Sequence, residues 1–370
     1  MINKKDTPAF EISFFAALCL FLSAVEYAIP KPIPFLRLGL ANLPIILAIK
    51  KFNHRDIFIL VVLKILGQAF ISGTLFSYIF LFSASGSFVS GFVMTLMYDL
   101  FGTKGKHGRV LISNIGISLA GALGNNCAQL LCAKLILFGD NTKYIAPVLL
   151  ISGMVTGLIF GIFASLFEIR SNWFNQVLVG TDKDIEKQAI NKGTDLQSGK
   201  PVEKVENLWK NSVWFVCSLV TMCIFVFVKQ VLVVWILVFI FYICTLIKRH
   251  GKVKIMPSVF ITISVTFFAI LSPYGKVLFS IGSWRITQDA LLSGLHRSGI
   301  LVGMVFLSQC AVSKELMIPG KVGKFVASMF RIFESLTAKR ISFKPNKIIS
   351  SIDERLIEIW NEEKVQVQNE

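Results

Sequence analysis

Apolar residues fall in long blocks separated by short polar segments. The blocks cover 12–29, 38–49, 57–71, 75–101, 110–138 and 145–167. After a polar stretch they resume at 213–228, 231–247, 257–271 and about 290–312. Most approach or exceed the roughly 20 residues that a helix needs to cross a bilayer. The pattern predicts an all-α fold: a polytopic transmembrane helical protein of about ten spans, six plus four, with a C-terminal amphipathic cytoplasmic helical region. Pro30, Pro32 and Pro34 end the first block, because proline removes helix donors. The block at 38–49 is short, so Phe35 and Leu36 are expected to extend it. Ser83 to Ser87 mark a candidate break in the fourth block. Four segments follow: a six-span membrane domain at 1–170, a polar linker at 171–210, a four-span membrane domain at 211–313 and a basic amphipathic region at 314–370.

In the last region, Phe325, Met329, Ile332, Phe333 and Leu336 recur at helical spacing. Lys321, Lys324, Arg331, Lys339 and Arg340 surround them. Such a helix suits a membrane surface or a partner's groove. The segment at 282–299, GSWRITQDALLSGLHRSG, is unusually polar and reads as a surface helix leading into the last span. It holds His296 and Arg297, which are hard to place in lipid.

Alternate loops carry most of the base. Lys4 and Lys5, Lys50, Lys51 and Arg55, Lys104, Lys106 and Arg109, then Arg170, Lys248, Arg249, Lys252 and Lys254 fall on one side. Lys31, Arg37, Lys143, Lys229, Lys276 and Arg285 fall on the other. The excess of base on cytoplasmic loops places the first set, and both termini, inside a cytoplasmic membrane. The first block reads as a retained span, since no small-residue cleavage site follows it.

Composition agrees. Of 370 residues 54% are hydrophobic and 16% charged, mean hydropathy is +0.67, and the net charge is +16. The basic residues sit between apolar blocks, which argues for loops beside lipid and against nucleic acid. All seven cysteines lie inside apolar blocks and none forms a CxxC pair, so no metal site is indicated.

Polar groups at membrane depth are candidates for function. Glu26, Lys64, Asp99, Lys134 and Glu168 are the ionisable ones, with Asp99 and Glu168 near predicted cytoplasmic ends. Lys64 sits mid-block and needs a carboxylate, a cavity or a phosphate. GALGNNCAQ carries Asn125, Asn126 and Gln129. Asn125 and Gln129, four apart, share a helix face. Interhelical hydrogen bonding and substrate contact both account for such a cluster. Arg37 and Asn42 lie in RLGLANLPIILAI, where Pro44 kinks or starts a helix. No phosphate-binding GxxxxGK[ST] loop, DDxxD pair, HExxH or nucleophile-and-base arrangement occurs, so no catalytic residue is assigned.

RLGLANLPIILAI, the MYDLFG at 97–102 and SNIGISLAGALGNN from Ser113 resemble the Gx transporter family, also catalogued as heptaprenyl diphosphate synthase component I. The resemblance covers about 12–170. That family is similar to the substrate-binding S components of energy-coupling factor (ECF) transporters, six-helix proteins that capture vitamins or metals. The span-then-amphipathic-helix order from Leu295 to Leu336 loosely resembles the T component of the same transporters, whose coupling helices dock on paired ATPases through an Ala-Arg-small signature. Here Ala338-Lys339-Arg340 stands in its place.

The resemblance implies a transport component that captures a small molecule and couples to separate ABC-type ATPase subunits. ATP is then bound by those partners, and no cofactor is bound directly. Arg37, Asn42, Lys64, Asn125, Asn126 and Gln129 are the candidate substrate-binding residues, and Arg331, Lys339 and Arg340 the candidate partner-coupling ones. The alternative is a membrane accessory subunit of isoprenoid or quinone synthesis. A lipid-acting membrane enzyme is disfavoured by the scarcity of intramembrane acid–base pairs.

Overall fold

A computed structural model describes residues 7–28, 39–75, 77–102, 112–179, 217–218, 220–248, 255–281, 284–311, 321–338 and 348–369. Helix α1 spans Thr7–Ala28. Gly39, at φ 88°, leads into a 3-10 turn at Leu40–Asn42 and the short helix α2 at Leu43–Ala48. The expected block at 38–49 is thus a turn plus six residues of helix, about 9 Å long. Phe35 and Leu36 lie outside the described residues. Helices α3 (His54–Ser72), α4 (Tyr78–Phe101) and α5 (Asn114–Cys132) follow. A π turn at Ala133–Phe138 and a 3-10 turn at Gly139–Asn141 join α5 to α6 (Thr142–Arg170).

The candidate break at Ser83–Ser87 does not occur, because α4 runs through it. Ser83 donates to Gln68 Oε1 at 3.0 Å and Ser85 to its own helix at Phe82 O, so the hydroxyls are satisfied without breaking the ladder. The linker is not wholly without structure either: it opens with helix α7 at Asn172–Val179.

Further along the chain, residues 220–226 are helical. Helices α8 (Val231–Lys248) and α9 (Met256–Ile270) come next. The expected surface helix at 282–299 is replaced at its start by a hairpin, β1 (Val277–Ile281) against β2 (Trp284–Thr287). The β-branched and aromatic run Trp-Arg-Ile-Thr favours a strand over a helix. Helix α10 then runs unbroken over Gln288–Ala311 and includes His296 and Arg297. His296 meets Val228 O at 2.7 Å, and Arg297 donates to Leu137 O at 3.3 Å. Helices α11 (Lys321–Ala338) and α12 (Ile348–Asn369) complete the chain.

The outside of the molecule is apolar. Phe92, Leu135, Ile169, Phe227 and Leu232 are each more than two-thirds exposed. A surface of that kind is stable in lipid and not in water. Among the described residues, five helical stretches, one of them holding both α5 and α6, are long and apolar enough to cross a membrane. The protein is a polytopic, multi-pass α-helical membrane protein.

Two cores lie inside. One gathers α1, α2 and α3 with the end of α6, α7, α11 and α12. The other gathers 220–226, α8, α9 and α10 with the start of α4, the π turn and the start of α6. The apolar stripe of α11 therefore does not face a membrane surface or a partner, as its spacing suggested. Met329, Ile332 and Leu336 are buried in the first core. Own-chain packing wins because α12 folds back beside α11: Glu363 accepts from Arg331 at 3.1 Å and from Ser335 at 2.8 Å. Trp360 lies edge-on to Phe10, Phe14 and Trp173. Asp353, 4% exposed, caps α7 by accepting from Ser171 Oγ and from the N–H groups of Asn172 and Trp173.

Candidate functional site

The polar cluster sits where α2, α4, α5 and α6 meet. The helix-starting role of Pro44 is realised, since it occupies the first turn of α2. Asn42 is thereby fixed at the entrance to α2, pointing among buried neighbours. Glu26, 6% exposed, holds this corner from α1: its Oε2 accepts from Gly39 N at 3.2 Å and Leu40 N at 3.0 Å. A carboxylate at the start of the 3-10 turn satisfies donors that have no partner within it.

Two hydrogen-bond relays run through the cluster. Lys64, 3% exposed, donates its ammonium to Asn42 Oδ1. Lysine can only donate, so Asn42 must present its oxygen to Lys64 and its Nδ2 to Ser90 Oγ, 3.2 Å away. The second relay is anchored on a main-chain carbonyl, which can only accept. Asn126 Nδ2 donates to Leu149 O at 2.6 Å, Asn125 Nδ2 to Asn126 Oδ1 at 3.1 Å, and Gln129 Nε2 to Asn125 Oδ1 at 3.3 Å. Each amide orientation is dictated by the one before it, starting from Leu149. The relay ends on Gln129 Oε1, a fully buried acceptor with no hydrogen-bond partner among the described residues.

A cavity of about 10 Å³, at the limit for one water molecule, opens beside these groups. Asn42, Asn125, Asn126, Ser118 and Thr156 give it polar walls, and Met94 and Phe160 are among its apolar ones. Of the sequence candidates, Asn42, Asn125 and Asn126 line it. Lys64 and Gln129 stand one hydrogen bond behind. Arg37 lies outside the described residues, as do Lys339 and Arg340. Arg331 lies apart, paired with Glu363.

Sequence reading did not single out Ser90, Ser118, Thr156, Gly86 and Gly153. The two glycines are seats for the amides. A Cβ at Gly86 would collide with Asn125 Oδ1, and one at Gly153 with Asn126 Nδ2. A signal for them does exist. Gly86 and Ser90 stand four apart on α4, and Gly153, Gly157 and Gly161 recur every four residues on α6, and small residues at that spacing mark a face of close helix approach.

Two of the remaining ionisable candidates, Glu168 and Asp99, serve the end of the bundle formed by the start of α3 and the ends of α4 and α6. Glu168 accepts from Lys50 at 2.6 Å and from Asn114 at 2.6 Å. Asp99 meets His54 at 2.7 Å. Lys134 is exposed in the π turn.

Comparison with known proteins gives two matches. Residues 15–167 match the family described as heptaprenyl diphosphate synthase component I. Residues 211–314 match a family described as a domain of unknown function (DUF8519). No curated protein and no solved structure matches the chain. The bundle of α1 to α6 that builds the cavity lies almost wholly within the first match, which covers less than half of the chain.

Proposed function

We propose that this protein is a component of a membrane transport system. Its first domain captures a small molecule in the cavity between α2, α4, α5 and α6. Its second domain and C-terminal helices work as the coupling module, in the manner of the S and T components of ECF transporters. ATP is hydrolysed on separate ABC-type subunits, with Arg331, Lys339 and Arg340 on the coupling side, and the protein lies in the cytoplasmic membrane with both termini inside.

The observation that carries this reading is the second directed relay, which runs from Leu149 and ends on a buried Gln129 oxygen with no hydrogen-bond partner among the described residues. An acceptor in lipid surroundings costs several kcal/mol, of the order of 1–3 even by protein mutational scales, unless something donates to it. Gln129 stands one hydrogen bond behind the cavity wall, so a captured ligand with an N–H or O–H group becomes that donor only once the helices around the cavity part. Its other contacts would be the amide and hydroxyl groups of Asn42, Asn125, Asn126, Ser118 and Thr156. The cavity holds no more than a water as it stands, so capture requires the helices around it to part.

The family description favours a second reading, an accessory role at the membrane in heptaprenyl diphosphate synthesis. One experiment separates the two. The full chain is solubilised from its own membranes and purified, and its partners and bound small molecules are identified by mass spectrometry. An ATP-binding-cassette subunit in stoichiometric yield, with a bound metabolite lost from K64M and N125L, supports transport. A prenyl synthase partner with no ATPase and no metabolite overturns it in favour of the accessory role.

A further inference from the structure

Helix α3 meets the polar cluster on one side and the C-terminal third of the chain on another. Lys64 and Gln68, four apart, share a face. Lys64 donates to Asn42, while Gln68 donates to Ser23 at 2.6 Å and accepts from Ser83 at 3.0 Å. Gly67, between them in sequence, is turned toward α1 and α11. A Cβ there would come within 2.8 Å of Met329 Cε on α11 and 3.2 Å of a Leu20 methyl. Met329 is fully buried. One turn further, Phe70 lies edge-on to Phe330 of α11, with ring centroids 6.5 Å apart. At the end of α3, Gly73 adopts φ 65° and its carbonyl accepts from Ser308 Oγ of α10 at 2.9 Å. Two elements beyond the linker, α10 and α11, thus grip α3 at three places within nine residues of Lys64.

We propose that α3 is the element through which α10 and α11 set the state of the polar site, with Gly67 and Met329 as its positioning residues. The proposal rests on reading the cluster as the capture site. Met329, seated on the bare backbone of Gly67, holds α3 so that Lys64 reaches Asn42. A packed interior does not deform continuously, so a helix pushed at one face moves as a body. A displacement of about 1 Å takes a hydrogen bond of ordinary length out of range. Movement of α11 would therefore separate Lys64 from Asn42 and free the 3-10 turn and α2, opening the wall of the cavity without any contact between α11 and the ligand.

The test is a double-mutant cycle on the full chain in nanodiscs of phosphatidylethanolamine and phosphatidylglycerol. Hydrogen–deuterium exchange is read by mass spectrometry over 40–50, with the hairpin at 277–287 as reference. Gly67→Ala and Met329→Ala alone are each expected to speed exchange over 40–50 by about tenfold. The double variant, in which the new methyl occupies the vacated space, is expected to return toward wild type. The hairpin should stay unchanged throughout. Additive effects, or loosening confined to 321–338, would overturn the proposal. Should Gly67→Ala not fold, Met329→Ala alone decides, since an unchanged 40–50 segment is then sufficient to reject the coupling. A flat response together with metabolite retention by the wild-type chain and its loss in K64M rejects this coupling and leaves the capture reading standing.

Discussion

Replacing Gly153 by alanine tests the amide cluster at its anchor. A Cβ at that position collides with Asn126 Nδ2 and lies 3.0 Å from its Cγ. Asn126 is 1% exposed, and its Nδ2 is already held by Leu149 O at 2.6 Å. Leu149 and Gly153 stand one turn apart on α6, so the side chain cannot leave one without losing the other. Displacing it orphans a buried donor, at about 1–3 kcal/mol. Overpacking adds about 1–3 kcal/mol. Less about 1 kcal/mol gained in helix propensity, the expected net destabilisation is roughly 1–5 kcal/mol, and the bound small molecule should go with it, because the orientation of Asn125 and Gln129 depends on that anchor. Gly124→Ala is the matched control. The nearest atoms to its Cβ would be side-chain carbons of Val93 and Val89, at 3.1 and 3.5 Å. The helix-propensity gain of about 1 kcal/mol offsets that contact. Reversible unfolding by dodecyl sulfate in mixed micelles, followed by circular dichroism, compares the two. Equal stability of the Gly153→Ala and Gly124→Ala proteins would refute the claim that Gly153 is a seat for Asn126.

Three further outcomes follow from the same contacts. Asp353→Ala strips two N–H groups and a hydroxyl of their acceptor at the start of α7, and should cost about 2–4 kcal/mol in the same unfolding assay, with Asp353→Asn in between. Glu26→Ala releases the N–H groups of Gly39 and Leu40, so their exchange should accelerate while that of α8 does not, and Glu26→Gln should recover part of the protection. His54→Ala should change stability by less than about 1 kcal/mol, because its pair with Asp99 is solvent-exposed, and a larger loss would mean that the pair does more than its geometry suggests.

Much of the membrane plan was legible because lipid imposes it on composition. Blocks such as 231–247 and 290–312 became α8 and α10 with ends moved by one or two residues. Asn125 and Gln129 were placed on one face by spacing alone, and they are hydrogen-bonded. What escaped depends on contacts far apart in the chain. Nothing near Gly86 or Gly153 says that an amide from α5 will rest on it. Asp353 finds α7 across more than 180 positions, and Trp360 finds Phe10 across 350. The stripe of α11 was legible as a stripe, whereas its occupant was not, since an amphipathic helix shows that it must be covered and not by what. The hairpin was missed for a local reason: its strands are five and four residues long, too short for alternation to stand out beside polar turns.

Interhelical glue remains the plain alternative reading of the amides, and the pattern of satisfaction bears on it. Polar groups that only hold helices together in lipid gain by being closed into complete pairs, because any group left over cancels what the others contribute. Gln68 fits that description, with Ser23 taking its hydrogen and Ser83 supplying one. Asn125, Asn126 and Gln129 do not. Their relay has a fixed start at Leu149 and an open end at Gln129, and the open end is the part a closed structural network would lack. Helix α4 shows the same division along its length: Ser83 belongs to the closed pairing with Gln68, whereas Gly86 and Ser90, one and two turns on, face Asn125 and Asn42. Closing the open end chemically separates the two explanations. Gln129→Leu, similar in size and without the oxygen, should match or exceed wild-type stability in mixed micelles while losing the bound small molecule. A protein weakened by about 1 kcal/mol or more with ligand retained would instead mark Gln129 as glue.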